Sequence, residues 1–114
     1  MLVGSASAIL AAGAIAIGLN SAPVAYSAVD CTAGLGVTQT ATTVTGTGGN
    51  DTIDCTGASP AKTVNGNAGN DTITGTAFAD TLNGGTGNDD LNGGPGSDRC
   101  NQNAGHGARV ACES

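Results

Sequence analysis

The chain of 114 residues contains 20 Gly, one Phe, one Tyr and no Trp, and its nine acidic and three basic side chains give a net charge of −6. That length allows one domain, and an aromatic content of 2% excludes a conventional layered core of large side chains. Gly without a strict triplet excludes collagen, and Lys62, Arg99 and Arg109 stand singly rather than as the basic cluster a nucleic-acid partner requires.

From Leu2 to Leu19 the chain is small and apolar apart from two Ser, with Asn20, Ser21 and Pro23 following. This pattern predicts an export signal over residues 1–27, cleaved after Ser27 in Ala25-Tyr26-Ser27, with Ala25 and Ala28 as alternative cleavage points. No Lys or Arg precedes the apolar run, which departs from the usual signal pattern. An uncleaved anchor would need ~20 apolar residues to cross a bilayer, and an Ala/Gly-rich stretch of this length is marginal. Once the signal is removed, no membrane partner is expected. All twelve charged side chains fall between Asp30 and Glu113, and eight of the nine acids are Asp. Asp favours turns and hard-cation sites, so metal ions are the first partner to consider.

Residues 28–45, with Leu35, Val37 and Val44 among Thr and Ala, are predicted to form a strand-rich N-terminal cap. Cys31, Cys55, Cys100 and Cys112 all lie after the signal, an even number that suits an oxidising compartment and two disulfides. Three pairings are open. The sequential one, Cys31 with Cys55 and Cys100 with Cys112, places a staple at each end of the intervening region. A zinc site is disfavoured because there is no Cys-x-x-Cys and His106 is the only His.

Between the caps lies a repeat. Asp71, Asp80, Asp89 and Asp98 recur every nine residues, the apolar positions Ile73, Leu82, Leu91 and Cys100 keep the same step, and Gly66, Gly75, Gly84 and Gly93 open the blocks. The blocks read GNAGNDTIT, GTAFADTLN, GGTGNDDLN and GGPGSDRCN. Upstream, GTGGNDTID over Gly46–Asp54 is a further member, and GASPAKTVN over Gly57–Asn65 is a degenerate one with Lys62 in place of Asp. Cys55 and Thr56 interrupt the step, so Asp51 and Asp71 are 20 residues apart rather than 18. Gly and Asn supply the positive φ of tight turns, and the T-I-T, T-L-N and D-L-N triplets suit short strands. Residues 46–101 therefore read as alternating turn and strand, and 102–114 as a C-terminal cap.

These blocks resemble the hemolysin-type, or RTX, calcium-binding repeats of exported bacterial proteins. The resemblance implies an all-β fold: a short, right-handed parallel β-roll in which two blocks make one coil and Ca2+ sits between turns stacked on one edge. It also implies a secreted, extracellular calcium-binding protein. The metal ligands expected by this likeness are Asp51, Asp71, Asp89, Asp80 and Asp98, with the backbone carbonyls of Gly46, Gly48, Gly66, Ala68, Gly84 and Thr86. Alternate blocks share an edge, pairing Asp51 with Asp71 and Asp71 with Asp89 on one, and Asp80 with Asp98 on the other. Lys62 puts a cation where a ligand belongs, and Phe78 and Ala79 replace small or polar turn residues, so calcium is expected mainly on the first edge, with Asp71 and Asp89 as its centre. Two carboxylates at the ~4.8 Å strand spacing repel by ~1 kcal/mol in water and ~3 to 4 kcal/mol at the lower effective dielectric of a protein surface, so the metal-free chain is expected to resist folding.

An enzyme is not expected: there is one His, no His-Glu-x-x-His, no Gly-x-Ser-x-Gly, and little chain outside the repeats. Alternatives are a metal-independent solenoid contacting a cell surface or ice through a Thr-bearing face, for which only Thr72-Ile73-Thr74 qualifies, or a remnant of a larger toxin or adhesin. Phe78 is read as a core or edge plug, His106 as an exposed cap residue, and Asp54 and Asp90 as solvated charges.

Overall fold

The computed structural model describes residues 28–113, so the export signal expected over 1–27 lies outside the described residues. Each predicted strand triplet forms a strand with its middle residue buried. The strands are β1 (Thr32–Ala33), β2 (Thr38–Gln39), β3 (Thr43–Thr45), β4 (Thr52–Asp54), β5 (Thr63–Asn65), β6 (Thr72–Thr74), β7 (Thr81–Asn83), β8 (Asp90–Asn92), β9 (Arg99–Asn101) and β10 (Arg109–Val110). No helix occurs among the described residues.

The strands alternate between two five-stranded sheets, ordered β9-β7-β5-β3-β2 and β10-β8-β6-β4-β1. Pairing is parallel from β3 to β10, so β3 with β4, β5 with β6, β7 with β8, and β9 with β10 form four coils of a β-solenoid. Only β1 and β2 run antiparallel to their neighbours, β4 and β3, closing the N-terminal end of both sheets. The Gln39 side chain ties the two cap strands together, its amide donating to the Cys31 carbonyl at 2.8 Å and its oxygen accepting the Cys31 N–H at 2.9 Å. Parallel stacking runs from Thr43 to Val110 and so exceeds the stretch 46–101 outlined by the blocks at both ends.

The core is a pair of side-chain columns. Val44, Val64, Leu82 and Cys100 stack in one sheet, and Ile53, Ile73 and Leu91 in the other, each at most 2% exposed. One apolar residue per nine is enough because each coil needs to cover only the coils on either side of it. Val44 belongs to this column although it precedes the first recognisable block. The disulfides are Cys31–Cys55 and Cys100–Cys112, stapling the two ends.

Two particulars depart from expectation. Phe78 is 49% exposed on its turn rather than a plug, because the interior between the columns is already filled by Leu82 and its neighbours. Thr43-Val44-Thr45 is a second Thr-x-Thr strand, but it lies in the sheet opposite Thr72-Ile73-Thr74, so the two make no common face. His106, Asp54 and Asp90 are exposed as expected.

Candidate metal centre

The turns between strands stack into two edges. Edge 1 holds residues 46–51, 66–71, 84–89 and 102–108; edge 2 holds 55–62, 75–80, 93–98 and the tail at 111–113. The two inserted residues, Cys55 and Thr56, are absorbed on edge 2, where Ala58 N–H turns back to the Cys55 carbonyl and Ser59 pairs with Val29 of the cap. Edge 1 therefore keeps its register across the 20-residue step.

That register places the Asp side chains one above another. Asp51 N–H donates to Asp71 Oδ1 at 2.8 Å, and Asp71 N–H donates to Asp89 Oδ1 at 2.9 Å. On edge 2, Lys62 N–H donates to Asp80 Oδ1 and Asp80 N–H to Asp98 Oδ1, both at 2.7 Å. Each carboxylate thus caps the backbone of the turn before it, which binds coil to coil along both edges. Edge 1 ends where Gly107 occupies the next Asp position, 18 residues after Asp89. Edge 2 ends differently: Asp98 N–H donates to Glu113 Oε1, and Glu113 N–H returns to the Asp98 carbonyl at 2.7 Å.

The second carboxylate oxygens divide the turns into two kinds. Asp51 Oδ2 accepts the Thr47 N–H at 2.7 Å, and Asp80 Oδ2 accepts the Thr76 N–H at 2.6 Å, with each Thr hydroxyl also against the same carboxylate. By contrast Asp71 Oδ2, Asp89 Oδ2 and Asp98 Oδ2 are buried without any hydrogen-bond partner. Unpartnered buried carboxylate oxygens are costly, and Asp71, Asp89 and Asp98 are each at most 1% exposed.

The charges respond accordingly. Burial pushes the Asp71 carboxyl up to about 6, opposed by the hydrogen bond from Asp51 N–H and reinforced by the negative charges of Asp89 and Asp51. Burial likewise raises Asp98, opposed by the hydrogen bond from Asp80 N–H and reinforced by the negative charges of Asp80 and Glu113. Asp54, outside the stack, is held low by the Thr56 hydroxyl.

Backbone oxygens approach the same places. A Cβ built on Gly66 would collide with Asp71 Oδ2 and the Gly84 carbonyl oxygen; one on Gly93 would meet Asp98 Oδ2 at 2.7 Å and also the Ala111 carbonyl oxygen. At Gly46 the corresponding oxygens are Asp51 Oδ2 and Gly66 O, each 2.7 Å from the Cβ position. Among the described residues no group of three or more His, Cys, Asp or Glu side chains gathers at one point. A cation on either edge would therefore take most of its ligands from the backbone. An orphaned carboxylate oxygen beside a carbonyl oxygen fits a hard, oxygen-seeking ion.

All five predicted Asp side chains thus fall in the two stacks, Asp51, Asp71 and Asp89 on edge 1, and Asp80 and Asp98 on edge 2. Of the six carbonyls, those of Gly66 and Gly84 lie at the coil-to-coil junctions. The Gly46 carbonyl accepts the Asn67 side-chain amide at 2.8 Å. Ala68 and Thr86 face each other in a short parallel bridge between turns, and Gly48 sits at the open outer rim, with nothing near the position of a Cβ. Lys62 is fully buried, its ammonium donating to the Ala41 and Ser59 carbonyls at 2.6 and 3.0 Å. Sequence reasoning missed Thr47, Thr76 and Glu113. The two Thr share the second position of their blocks, a visible signal; Glu113 stands 15 residues after Asp98 and is out of step with the repeat.

These features define a β-solenoid with acidic, oxygen-rich turns stacked along its edges. A family model for the RTX calcium-binding nonapeptide repeat matches residues 38–54 and 65–100 in four copies. The repeat tract belongs to that family. The match omits residues 55–64, where the insertion and the degenerate block with Lys62 lie. No curated protein and no solved structure matches the chain.

Proposed function

We propose that this chain is an exported calcium-binding module whose β-roll is completed by Ca2+ at the stacked turns. The observation that carries this reading is the pair of buried, unpartnered oxygens Asp71 Oδ2 and Asp89 Oδ2 on adjacent turns of edge 1. Asp71 and Asp89 would hold an ion on edge 1 through these oxygens, with the Gly84 carbonyl beside Asp71, and Asp98 Oδ2 would hold one on edge 2, with the Ala111 carbonyl beside it. Bound Ca2+ would supply the positive charge and the oxygen coordination that this arrangement lacks.

The chain's own residues prepare the rest. The Oδ1 hydrogen bonds hold each carboxylate in place, the glycines at the first turn position leave room for it, and the two disulfides hold the ends. Unbalanced negative charge at Asp51, Asp71 and Asp89 opposes the stack until a cation arrives, so binding and folding are coupled. Export is supported by the small, apolar run Leu2–Leu19 and by four paired cysteines, which persist in oxidising compartments. A calcium-rich exterior would then fold the chain after it leaves the cell.

The test is circular dichroism of the oxidised chain during titration with Ca2+, with Mg2+ as control. A β signal that rises with Ca2+ and not with Mg2+ is expected. A spectrum already β-rich in chelator and unchanged by Ca2+ refutes coupled folding and favours a metal-independent solenoid.

A further inference from the structure

The five Asp turns are not chemically equivalent, and their difference follows the residue at the second turn position. Where that residue is Thr, as at Thr47 and Thr76, its N–H and hydroxyl close on the carboxylate of the same turn. Where it is Asn67, Gly85 or Gly94, φ is positive, at 78°, 101° and 79°, and the Asp Oδ2 is left without a donor. A β-branched residue strongly resists positive φ, so Thr keeps the other backbone conformation, the one whose N–H reaches the carboxylate. Two turns on different edges share the closed arrangement, and three share the open one.

We propose that the second turn residue decides whether a turn takes a cation: Thr47 and Thr76 make the Asp51 and Asp80 turns self-sufficient, while Asn67, Gly85 and Gly94 leave the Asp71, Asp89 and Asp98 turns to be completed by one. The proposal rests on the calcium reading above and specifies which turns it applies to. In the closed turns a cation would have to displace the donors already on the carboxylate. Asp80 has both oxygens occupied, with Lys62 N–H and Thr76 on one and Thr76 on the other. In the open turns a cation displaces nothing and relieves a buried unpartnered oxygen. Lys62 extends the same logic to the first turn of edge 2, where it stands at the Asp position. Its buried ammonium lies on the Ala41 and Ser59 carbonyls, giving edge 2 a resident positive charge at its N-terminal end.

The test is the calcium stoichiometry of the oxidised full chain, read by isothermal titration and by native mass spectrometry. Thr76→Gly is expected to bind one ion more per chain than the unaltered protein. Asn67→Thr, at a position that already accommodates a Cβ, is expected to bind one ion fewer or to weaken one site at least tenfold. Thr76→Ser, which keeps the hydroxyl, is expected to match the unaltered protein. Should Thr76→Gly fail to fold, Asn67→Thr carries the test alone. Variants with unchanged stoichiometry and affinity, on a parent that does bind Ca2+, overturn this proposal and leave the calcium reading standing. A parent chain that binds no Ca2+ overturns both.

Discussion

Asp89 Oδ1 accepts the backbone N–H of Asp71 at 2.9 Å, while Asp89 Oδ2, equally buried, meets no donor at all. One carboxylate thus serves two purposes. Its first oxygen joins two coils, and its second is available for an ion. The consequences of this split can be measured.

Replacing Asp71 by Asn keeps the shape and the oxygen that accepts Asp51 N–H, and removes a charge flanked by Asp51 and Asp89. In chelator, Asp71→Asn should be more stable than the parent by about 1 to 3 kcal/mol, since a buried like-charge contact is lost. In Ca2+ the order should reverse, because the ion loses an anionic ligand. Urea melts of both proteins in the two media check this crossing.

The raised Asp71 carboxyl, at about 6, sets a pH dependence. Between its ordinary value of 3.8 and about 6 the folded state binds more protons than the unfolded one, so metal-free stability falls as pH rises through that window. Asp98 acts in the same direction, and the exposed Asp54, held low, in the opposite one. The chelated chain should be more folded at pH 4.5 than at pH 7.5. With Ca2+ present, acid should instead release the ion and lower the melting temperature. Thermal melts over this range, with and without Ca2+, distinguish the two signs.

Gly87 has φ +120°, and a Cβ there would overlap the Gly69 carbonyl of the turn beneath. Gly87→Ala should cost about 3 kcal/mol or more in Ca2+ and in chelator alike, because it combines strained backbone with a clash that no ion can relieve. Gly48→Ala, at the open rim, should cost far less. Comparing their denaturation midpoints tests whether coil spacing sets the glycine requirement.

The Cys100–Cys112 bond holds the tail that brings Glu113 to Asp98 N–H. Removing it, with Cys100→Ala and Cys112→Ala together, should cost about 3 kcal/mol and expose the last coil first. Hydrogen exchange should then speed at Asp98 and Asn101 before it does at Ile53 or Val64 in the stapled N-terminal coils.

Much of this was legible in the residues. The nine-residue step of Gly, Asp and an apolar side chain predicts a turn and a strand per block, and the strands at Thr72–Thr74, Thr81–Asn83, Asp90–Asn92 and Arg99–Asn101 fall where the triplets place them. Thr43–Thr45 was less visible, because no Asp or opening Gly precedes it and only Val44 carries the period. Phe78 misled because an aromatic residue in a sparse chain suggests a core, whereas in a roll one aliphatic residue per strand already fills the interior.

The order of strands, the acidic turns and the disulfide-bearing ends were therefore determined by the sequence itself, since each depends on contacts within one block or on a fixed step between blocks. Folding alone decided where the two extra residues at Cys55 and Thr56 would go, and so preserved the alignment of Asp51 with Asp71. It also decided which carboxylate oxygens are left without partners. That outcome depends on the backbone conformation that the second turn residue sets within its block and on what the coil 18 or 20 residues away brings against the turn, and the second of these is not encoded in a single block.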